Sequence, residues 1–122
     1  MAQKTSVLYV DDEEALRVLV GHQLSSEGFQ VATADDGDTA IEMLGKNKYD
    51  VIVLDIRMER VSGIEVLKHV KEEKINSRVI VLTGVDDLTI AVEAVKNGAN
   101  DYITKPFDPK NLVSSIRRMV AE

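Results

Sequence analysis

The stretch VIVLD at residues 51–55 decides the fold: four consecutive apolar residues, three of them β-branched, end in an aspartate. An unbroken run of this kind is typical of a parallel strand that is buried on both faces. Two similar runs, VLYV at 7–10 and VIVL at 79–82, lie before and after it in the chain. Weaker strand patterns at 30–34 and 100–103 bring the predicted number of strands to five.

The segments between these runs carry apolar residues at the spacing of amphipathic helices. Ser62 begins a capping-box pattern, Asp108 followed by proline is typical of a helix start, and Gly28 and Gly98 stand where helices should end. Strands that alternate with helices through short connections predict a doubly wound α/β sheet with helices on both sides. The predicted apolar faces are Leu16, Leu19, Val20 and Leu24; Ala40, Ile41 and Leu44; Ile64, Leu67 and Val70; Leu88, Ala91, Val92 and Val95; and Leu112, Ile116, Met119 and Val120.

The composition favours one globular domain over residues 1–122. Hydrophobic residues make up 44%, enough for a core, and the absence of cysteine excludes disulfides and thiolate sites. No apolar run approaches the roughly 20 residues that cross a bilayer, and the N-terminus has no signal-peptide pattern. We therefore predict a cytoplasmic protein without membrane association. The net charge of −6 argues against direct nucleic-acid binding, which needs a basic surface.

Charged and hydroxyl residues follow the predicted strands, where ligands bind in open α/β sheets. Asp11 and Asp12 follow the first strand, Asp55 the third, Thr83 the fourth and Lys105 the fifth. Most of them have an ordinary explanation when taken singly: acidic residues suit a first helical turn, threonine suits a turn and lysine suits the surface. Asp55 is the exception, because a carboxylate after an apolar run lies at the edge of a dry core. Parallel strands end at one edge of a sheet, so these side chains are predicted to converge.

The predicted cluster has the chemistry of a magnesium and phosphoryl-transfer site. Its three carboxylates repel each other unless a cation or a proton joins them, and no histidine or cysteine is placed to help. Mg²⁺ prefers one or two carboxylates, waters and phosphate oxygens. Lys105 and Thr83 offer an ammonium and a hydroxyl to a phosphoryl group, whose transfer depends mainly on positioning and charge neutralisation. With Asp55 as the nucleophile, the product is an aspartyl phosphate.

The combined motifs closely resemble the receiver domain of two-component response regulators over essentially the whole chain. They are DD at 11–12, LDIRM at 54–58 followed by SG at 62–63, LTG at 82–84 and GANDYITKPF at 98–107. The resemblance implies a flavodoxin-like sheet of five parallel strands in the order 2-1-3-4-5, with five helices. It also implies that the phosphoryl group comes from the phosphohistidine of a sensor histidine kinase.

The resemblance assigns roles to the residues at the sheet edge. Asp55 would be the phosphorylation site. Asp11, Asp12 and Asp55 would bind Mg²⁺ together with the backbone carbonyl of Arg57. The sequence departs from the common receiver pattern at Glu59, where proline is usual, and this places a fourth carboxylate near the predicted pocket.

Three further residues would couple phosphorylation to a change of surface. Lys105 and Thr83 would be catalytic, and the peptide bond after Lys105 would be cis. Thr83 and Tyr102 would form a switch pair, in which the hydroxyl moves to the phosphoryl group and the ring turns inward. Without the resemblance, Tyr102 is an ordinary edge-strand aromatic residue.

The output of the switch is expected on the surface formed by the fourth helix, the fifth strand and the fifth helix, over residues 86–122. Asp101, Arg117 and Arg118 would form ion pairs across a homodimer there, although a solvated charged surface is the simpler interpretation. The sequence identifies no effector module. The output is therefore expected either from the domain alone or from a segment beyond it.

Three other functions share parts of this pattern. A flavin or nucleotide domain needs a glycine-rich phosphate loop after the first strand, where this chain has DDEE at 11–14. A phosphatase resembling the haloacid dehalogenases needs a second aspartate where Arg57 stands. A non-phosphorylated interaction module of receiver shape usually lacks the pocket residues that this chain retains. His22 and His69 have no ligand spacing and are predicted to be surface residues.

Overall fold

Five parallel strands form one sheet in the order β2-β1-β3-β4-β5, in a computed structural model that describes residues 4–58 and 62–121. The predicted α/β class and the strand order 2-1-3-4-5 are confirmed. In that part of the chain, none of the helices has the length and apolar character that a membrane crossing needs. The elements are β1 (Ser6–Val10), α1 (Glu14–Ser26), β2 (Gln30–Ala34), α2 (Gly37–Lys46), β3 (Val51–Asp55), α3 (Gly63–Glu72), β4 (Arg78–Gly84), a 3₁₀ turn (Val85–Asp87), α4 (Leu88–Lys96), β5 (Asp101–Lys105) and α5 (Pro109–Ala121).

Each face of the sheet has its own hydrophobic core, because successive residues of a strand point to opposite faces. Every residue of β3 is buried. Ile52 and Leu54 pack with α2, α3 and α4, whereas Val51 and Val53 pack with α1 and α5. A strand covered on both sides needs apolar residues at every position, which explains the unbroken run in the sequence.

The predicted starts and stops of several helices are confirmed. Ser62 Oγ accepts a hydrogen bond from a backbone amide of the first turn of α3 at 3.3 Å. Asp108 Oδ1 accepts one from the backbone at the start of α5 at 2.9 Å. Gly28 and Gly98 follow α1 and α4 with φ of +94° and +106°, a backbone conformation that favours glycine.

The large residues of the predicted apolar face of α4 point away from the sheet, contrary to the prediction, and of that face Ala91 is the buried member. Leu88, Val92 and Val95 are 50%, 56% and 48% exposed, whereas Ala91 and Ala94 are buried. The residues of α4 that pack against the core on this face of the sheet are Ala94, which is buried in it, and Ile90, which is partly buried. The same correction applies to two residues at the margins of other helical faces, Leu19 in α1 and Val120 in α5.

Strands β4 and β5 reach further toward the carboxyl edge of the sheet than predicted. The last strand covers Asp101–Lys105 instead of 100–103. Thr83 and Lys105 therefore lie within the final residues of their strands, because the β4–β5 ladder continues to the pair formed by Gly84 and Lys105. The peptide bond after Lys105 is cis, as the resemblance implies.

Candidate functional site

Asp55 ends β3 at the carboxyl edge of the sheet and is only 5% exposed. Its Oδ1 accepts a hydrogen bond from the backbone N–H of Arg57 at 3.1 Å. Its Oδ2 accepts one from Lys105 Nζ at 3.2 Å. The two contacts fix the orientation of a carboxylate that the apolar strand carries to the edge of the core.

Asp11 and Asp12 follow β1, the strand that pairs with β3. Asp11 is fully buried, whereas Asp12 is exposed. One carboxylate oxygen from each of them and one from Asp55 lie within 4.8 Å of one another. Hard oxygen donors at this spacing fit a divalent cation such as Mg²⁺. The three carboxylates predicted to bind a metal are thus brought together.

Lys105 places its ammonium among the carboxylates, and its side chain is 18% exposed. Nζ lies 2.9 Å from Asp11 Oδ2, 3.2 Å from Asp55 Oδ2 and 3.3 Å from Glu13 Oε1. Burial alone would lower the pKa of Lys105, but the hydrogen bond to Asp11 and the charge of Asp55 outweigh it, and the pKa is raised. Lys105 therefore stays charged. Its contact with Glu13 was not predicted, since DDEE resembles an ordinary acidic first turn of a helix.

The Asp55 carboxyl group retains a proton more readily than an ordinary aspartate. Burial raises its pKa, the Lys105 charge lowers it and the Asp11 charge raises it, so that the pKa is about 6. Burial and the neighbouring carboxylate thus outweigh the single ammonium. A further positive charge at this edge of the sheet would stabilise the ionised form.

Thr83 lies in β4, one residue beyond the residue that pairs with Asp55. Thr83 is 2% exposed. Its Oγ1 is buried and has no hydrogen-bond partner among residues 4–58 and 62–121. A buried hydroxyl without a partner is costly, and it is free to donate to a group that binds at this edge. The donor set of the pocket therefore fits a metal ion and a phosphoryl group together.

Tyr102 lies in β5 with its side chain at the surface, since the residue is 45% exposed. The structure thus places the predicted switch residue in its outward position. Glu59, where the sequence departs from the common receiver pattern, lies outside the described residues.

Tyr9 is a member of the site that the sequence analysis missed. Its ring is fully buried in β1, and its hydroxyl donates to Asp11 Oδ2 at 2.8 Å. Burial, and then the charge of Asp11, raises the pKa of Tyr9 above its ordinary value, so the hydroxyl stays protonated. One signal was available in the sequence: Tyr9 and Asp11 are two residues apart, which places them on the same face of a strand.

An ion pair joins the two loops beside the pocket. Arg57 NH2 lies 2.5 Å from Asp87 Oδ1. The Asp87 side chain is 7% exposed, whereas that of Arg57 is 71% exposed. The sequence analysis missed this pair, because an aspartate just before a helix resembles an ordinary helix start.

A parallel five-stranded sheet with carboxylates and a lysine at its carboxyl edge defines a class: the doubly wound α/β proteins with an oxygen-rich ligand site where the strand order reverses. Within that class the match is specific. The response regulator receiver domain model matches residues 7–117. The chain belongs to the response regulator receiver domain family of two-component signal transduction.

Relatives and solved structures agree with this assignment. The alkaline phosphatase synthesis transcriptional regulatory protein PhoP of Bacillus subtilis is 35% identical over 93% of this chain and 48% of its own length. The transcriptional regulatory protein TrcR of Mycobacterium tuberculosis is 41% identical over 93% of this chain and 44% of its own length. The structure of chemotaxis protein CheY4 of Vibrio cholerae has a TM-score of 0.90 and 31% identity, and covers 96% of this chain and 99% of its own. The chain spans about half the length of these two curated relatives.

Proposed function

We propose that Asp55 accepts a phosphoryl group from the phosphohistidine of a sensor histidine kinase, with Mg²⁺ bound by Asp11, Asp12, Asp55 and the backbone carbonyl of Arg57. The observation that carries this proposal is the meeting, within 4.8 Å, of three carboxylate groups from two neighbouring strand ends. Such a cluster is unfavourable without a cation, and the pKa of Asp55 is raised, mainly by burial and in part by the charge of Asp11. Membership of the receiver family supports the same conclusion.

The transfer exchanges one bond to phosphorus for another. An oxygen of the Asp55 carboxylate forms the new bond while the phosphorus–nitrogen bond of the donor breaks, and its electron pair leaves with the imidazole nitrogen. Mg²⁺ held by the three carboxylates would neutralise charge on the phosphoryl oxygens. Lys105, 3.2 Å from Asp55 Oδ2, contacts the phosphoryl group, and the Thr83 hydroxyl donates to it. The domain catalyses only its own phosphorylation and, with water as nucleophile, its own dephosphorylation.

Thr83 and Tyr102 convert the new charge into a change of surface. A phosphoryl group adds about −1.5 to −2 charge and three strong acceptor oxygens. Thr83 Oγ1, which has no partner within residues 4–58 and 62–121, gains one when its loop moves to the phosphoryl group. The Tyr102 ring then turns from its exposed position into the space behind Thr83. The population of the two loop arrangements shifts because only one of them contacts the phosphoryl group.

We propose that this domain works in the cytoplasm, with no membrane contact of its own. The net charge of −6 argues against direct binding of nucleic acid by these residues. PhoP and TrcR are named as transcriptional regulators and are about twice as long as this chain. If this protein also controls transcription, DNA would be bound by an output domain outside the 122 residues.

The phosphorylation proposal is tested by intact mass. Incubation of the wild-type protein with an acyl-phosphate donor and Mg²⁺ should add the mass of one phosphoryl group, and a chelator should prevent it. Asp55→Asn should take up none, because an amide is not a nucleophile toward phosphorus. Asp50→Asn, at the opposite end of β3, is the matched control and should behave as wild type. An unchanged wild-type mass would contradict the proposal and leave the non-phosphorylated interaction module.

A second test concerns a homodimer through α4, β5 and α5. This surface exposes the apolar stripe Leu88, Val92 and Val95. Its Arg118 pairs within the chain with Asp101 at 3.0 Å, and such exposed pairs exchange partners at little cost. We expect beryllium fluoride with Mg²⁺, a phosphoryl mimic, to double the mass measured by light scattering, and Asp55→Asn to abolish the response. A monomer under both conditions would rule this output out.

A further inference from the structure

Tyr9 is built into the core in a way that fixes its hydroxyl beside the pocket. The residue has no exposed surface and packs between α1 and α5 with Val53 and Leu82 among its cluster. A ring so enclosed has no alternative rotamer to adopt, because protein cores are close-packed. Its hydroxyl therefore holds a nearly constant position relative to the backbone of β1.

Three donors orient the Asp11 carboxylate, and they differ in rigidity. Oδ1 accepts a hydrogen bond from the backbone N–H of Glu13 at 3.0 Å. Oδ2 contacts the Tyr9 hydroxyl at 2.8 Å and Lys105 Nζ at 2.9 Å. Lysine is a flexible point charge, and under the proposed function this ammonium also contacts the phosphoryl group. Tyr9 is thus the side-chain donor that stays on Asp11 when Lys105 turns to another partner.

We propose that Tyr9 is a positioning residue that holds Asp11 in the orientation in which it binds Mg²⁺. The inference rests on the Mg²⁺ site of the proposed function, which includes Asp11, but its effect on metal binding does not depend on whether Asp55 accepts a phosphoryl group. Hydrogen bonds to ligating carboxylates commonly determine how well the ligand is placed, and their loss typically costs about 10- to 100-fold in metal affinity. The alternative explanation is that a buried tyrosine hydroxyl needs a hydrogen-bond acceptor, and that Asp11 serves as this acceptor without any effect on metal binding.

The matched variants are Tyr9→Phe and Tyr49→Phe. Both remove one hydroxyl from a buried ring, but Tyr49 belongs to the core on the other face of the sheet. Metal affinity is measured with Mn²⁺ as the probe, by electron paramagnetic resonance of the free ion, with Mg²⁺ as the competitor. We expect Tyr9→Phe to weaken the binding of both ions about tenfold, the lower end of the loss that is typical when a hydrogen bond to a metal ligand is removed. Tyr49→Phe should leave both affinities unchanged. An affinity of Tyr9→Phe within twofold of wild type overturns the proposal.

A kinetic measurement separates positioning from a general loss of structure. The rate of phosphoryl uptake from an acyl-phosphate donor is followed as the Mg²⁺ concentration is raised. In Tyr9→Phe the half-saturating Mg²⁺ concentration should rise about tenfold, with the saturated rate kept within about threefold of wild type. A saturated rate that falls while the Mg²⁺ dependence stays the same contradicts a role through the metal ligand.

Two outcomes keep this inference distinct from the proposed function. If the wild-type protein takes up no phosphoryl group, the proposed function fails, and the Mn²⁺ competition still decides the role of Tyr9. If Tyr9→Phe does not fold, the wild-type protein decides it by nuclear magnetic resonance. The hydroxyl proton of Tyr9 must then shift during a Mg²⁺ titration with the dissociation constant of the site, and a resonance that does not respond overturns the proposal.

Discussion

Gly63→Ala is expected to destabilise the protein by more than about 3 kcal/mol, the upper range for overpacking a core. A Cβ atom at Gly63 would lie 2.3 Å from the backbone oxygen of Asp55 and 2.7 Å from Cα of Ile56. Both neighbours are backbone atoms, so no side-chain rotation can relieve the contact. Either α3 moves away from β3 or the end of β3 shifts, and the second change displaces the acceptor carboxylate. Urea unfolding measures the loss of stability.

The matched control for this prediction is Gly45→Ala. Gly45 lies in α2, and a Cβ atom added there would meet nothing within 4 Å. Alanine should then stabilise the helix by about 0.5 kcal/mol, through its better helix propensity and the smaller entropy of the unfolded chain. If Gly63→Ala unfolded within about 1 kcal/mol of wild type, the close approach of α3 to β3 would be contradicted.

Lys105→Met is expected to cost about 3 kcal/mol at pH 8 without divalent cations, because it leaves buried carboxylates without their counter-charge. Nζ of Lys105 contacts both Asp11 and Asp55, at 2.9 Å and 3.2 Å. Added Mg²⁺ should restore much of the lost stability, since it supplies positive charge to the same oxygens. Chemical denaturation with and without Mg²⁺ measures both effects.

The pH dependence of this variant follows from the pKa of Asp55. That pKa is about 6 in the wild-type protein, above its value in the unfolded chain, and Lys105 lowers it. Without Lys105 the pKa rises further. A carboxyl group whose folded pKa is raised destabilises the fold only when it is ionised, and the penalty disappears as the pH falls. The stability difference between Lys105→Met and wild type should therefore narrow from pH 8 to about pH 6 and then remain constant.

Lys46→Met controls for the loss of a lysine at the surface. Lys46 pairs with Glu42 at 3.1 Å, but both side chains are about 70% exposed. Exposed pairs of this spacing in a helix contribute roughly 0.3–0.5 kcal/mol. A Lys105→Met variant that lost no more stability than Lys46→Met, at every pH, would show that the ammonium does not hold the carboxylates together.

The five parallel strands could be predicted from the sequence because three of them carry a strong signal, whereas their order 2-1-3-4-5 followed from the resemblance to receiver domains. Runs such as residues 51–54 have apolar side chains at every position, and a short run of this kind is typical of a strand covered on both faces. The convergence of Asp11, Asp12, Asp55, Thr83 and Lys105 followed from the same inference, because the ends of parallel strands share an edge. The set of residues that meet at the site could thus be predicted from the residues at the ends of the strands.

The orientation of α4 and the contacts of the pocket could not be predicted in the same way. Helical periodicity finds an apolar stripe, but it cannot tell whether Leu88 and Val92 or the neighbouring alanines face the sheet. That choice depends on how much space the strand side chains leave. The ion pair between Arg57 and Asp87 depends on the path of two loops. Sequence spacing carries no information about such distances.

The close contact of Gly63 with β3 means that the two sides of the pocket are packed differently. On one side, the start of α3 lies so close to the backbone of Asp55 and Ile56 that no side chain fits between them at Gly63. On the other, Asp87 in the turn before α4 forms an ion pair with Arg57, whose side chain is largely in water. The α3 side of the pocket is therefore closely packed against the backbone, whereas the α4 side meets the pocket through a partly solvated ion pair. We therefore expect a movement of Asp55 to be accommodated on the side of α4, the helix whose Leu88, Val92 and Val95 face the solvent.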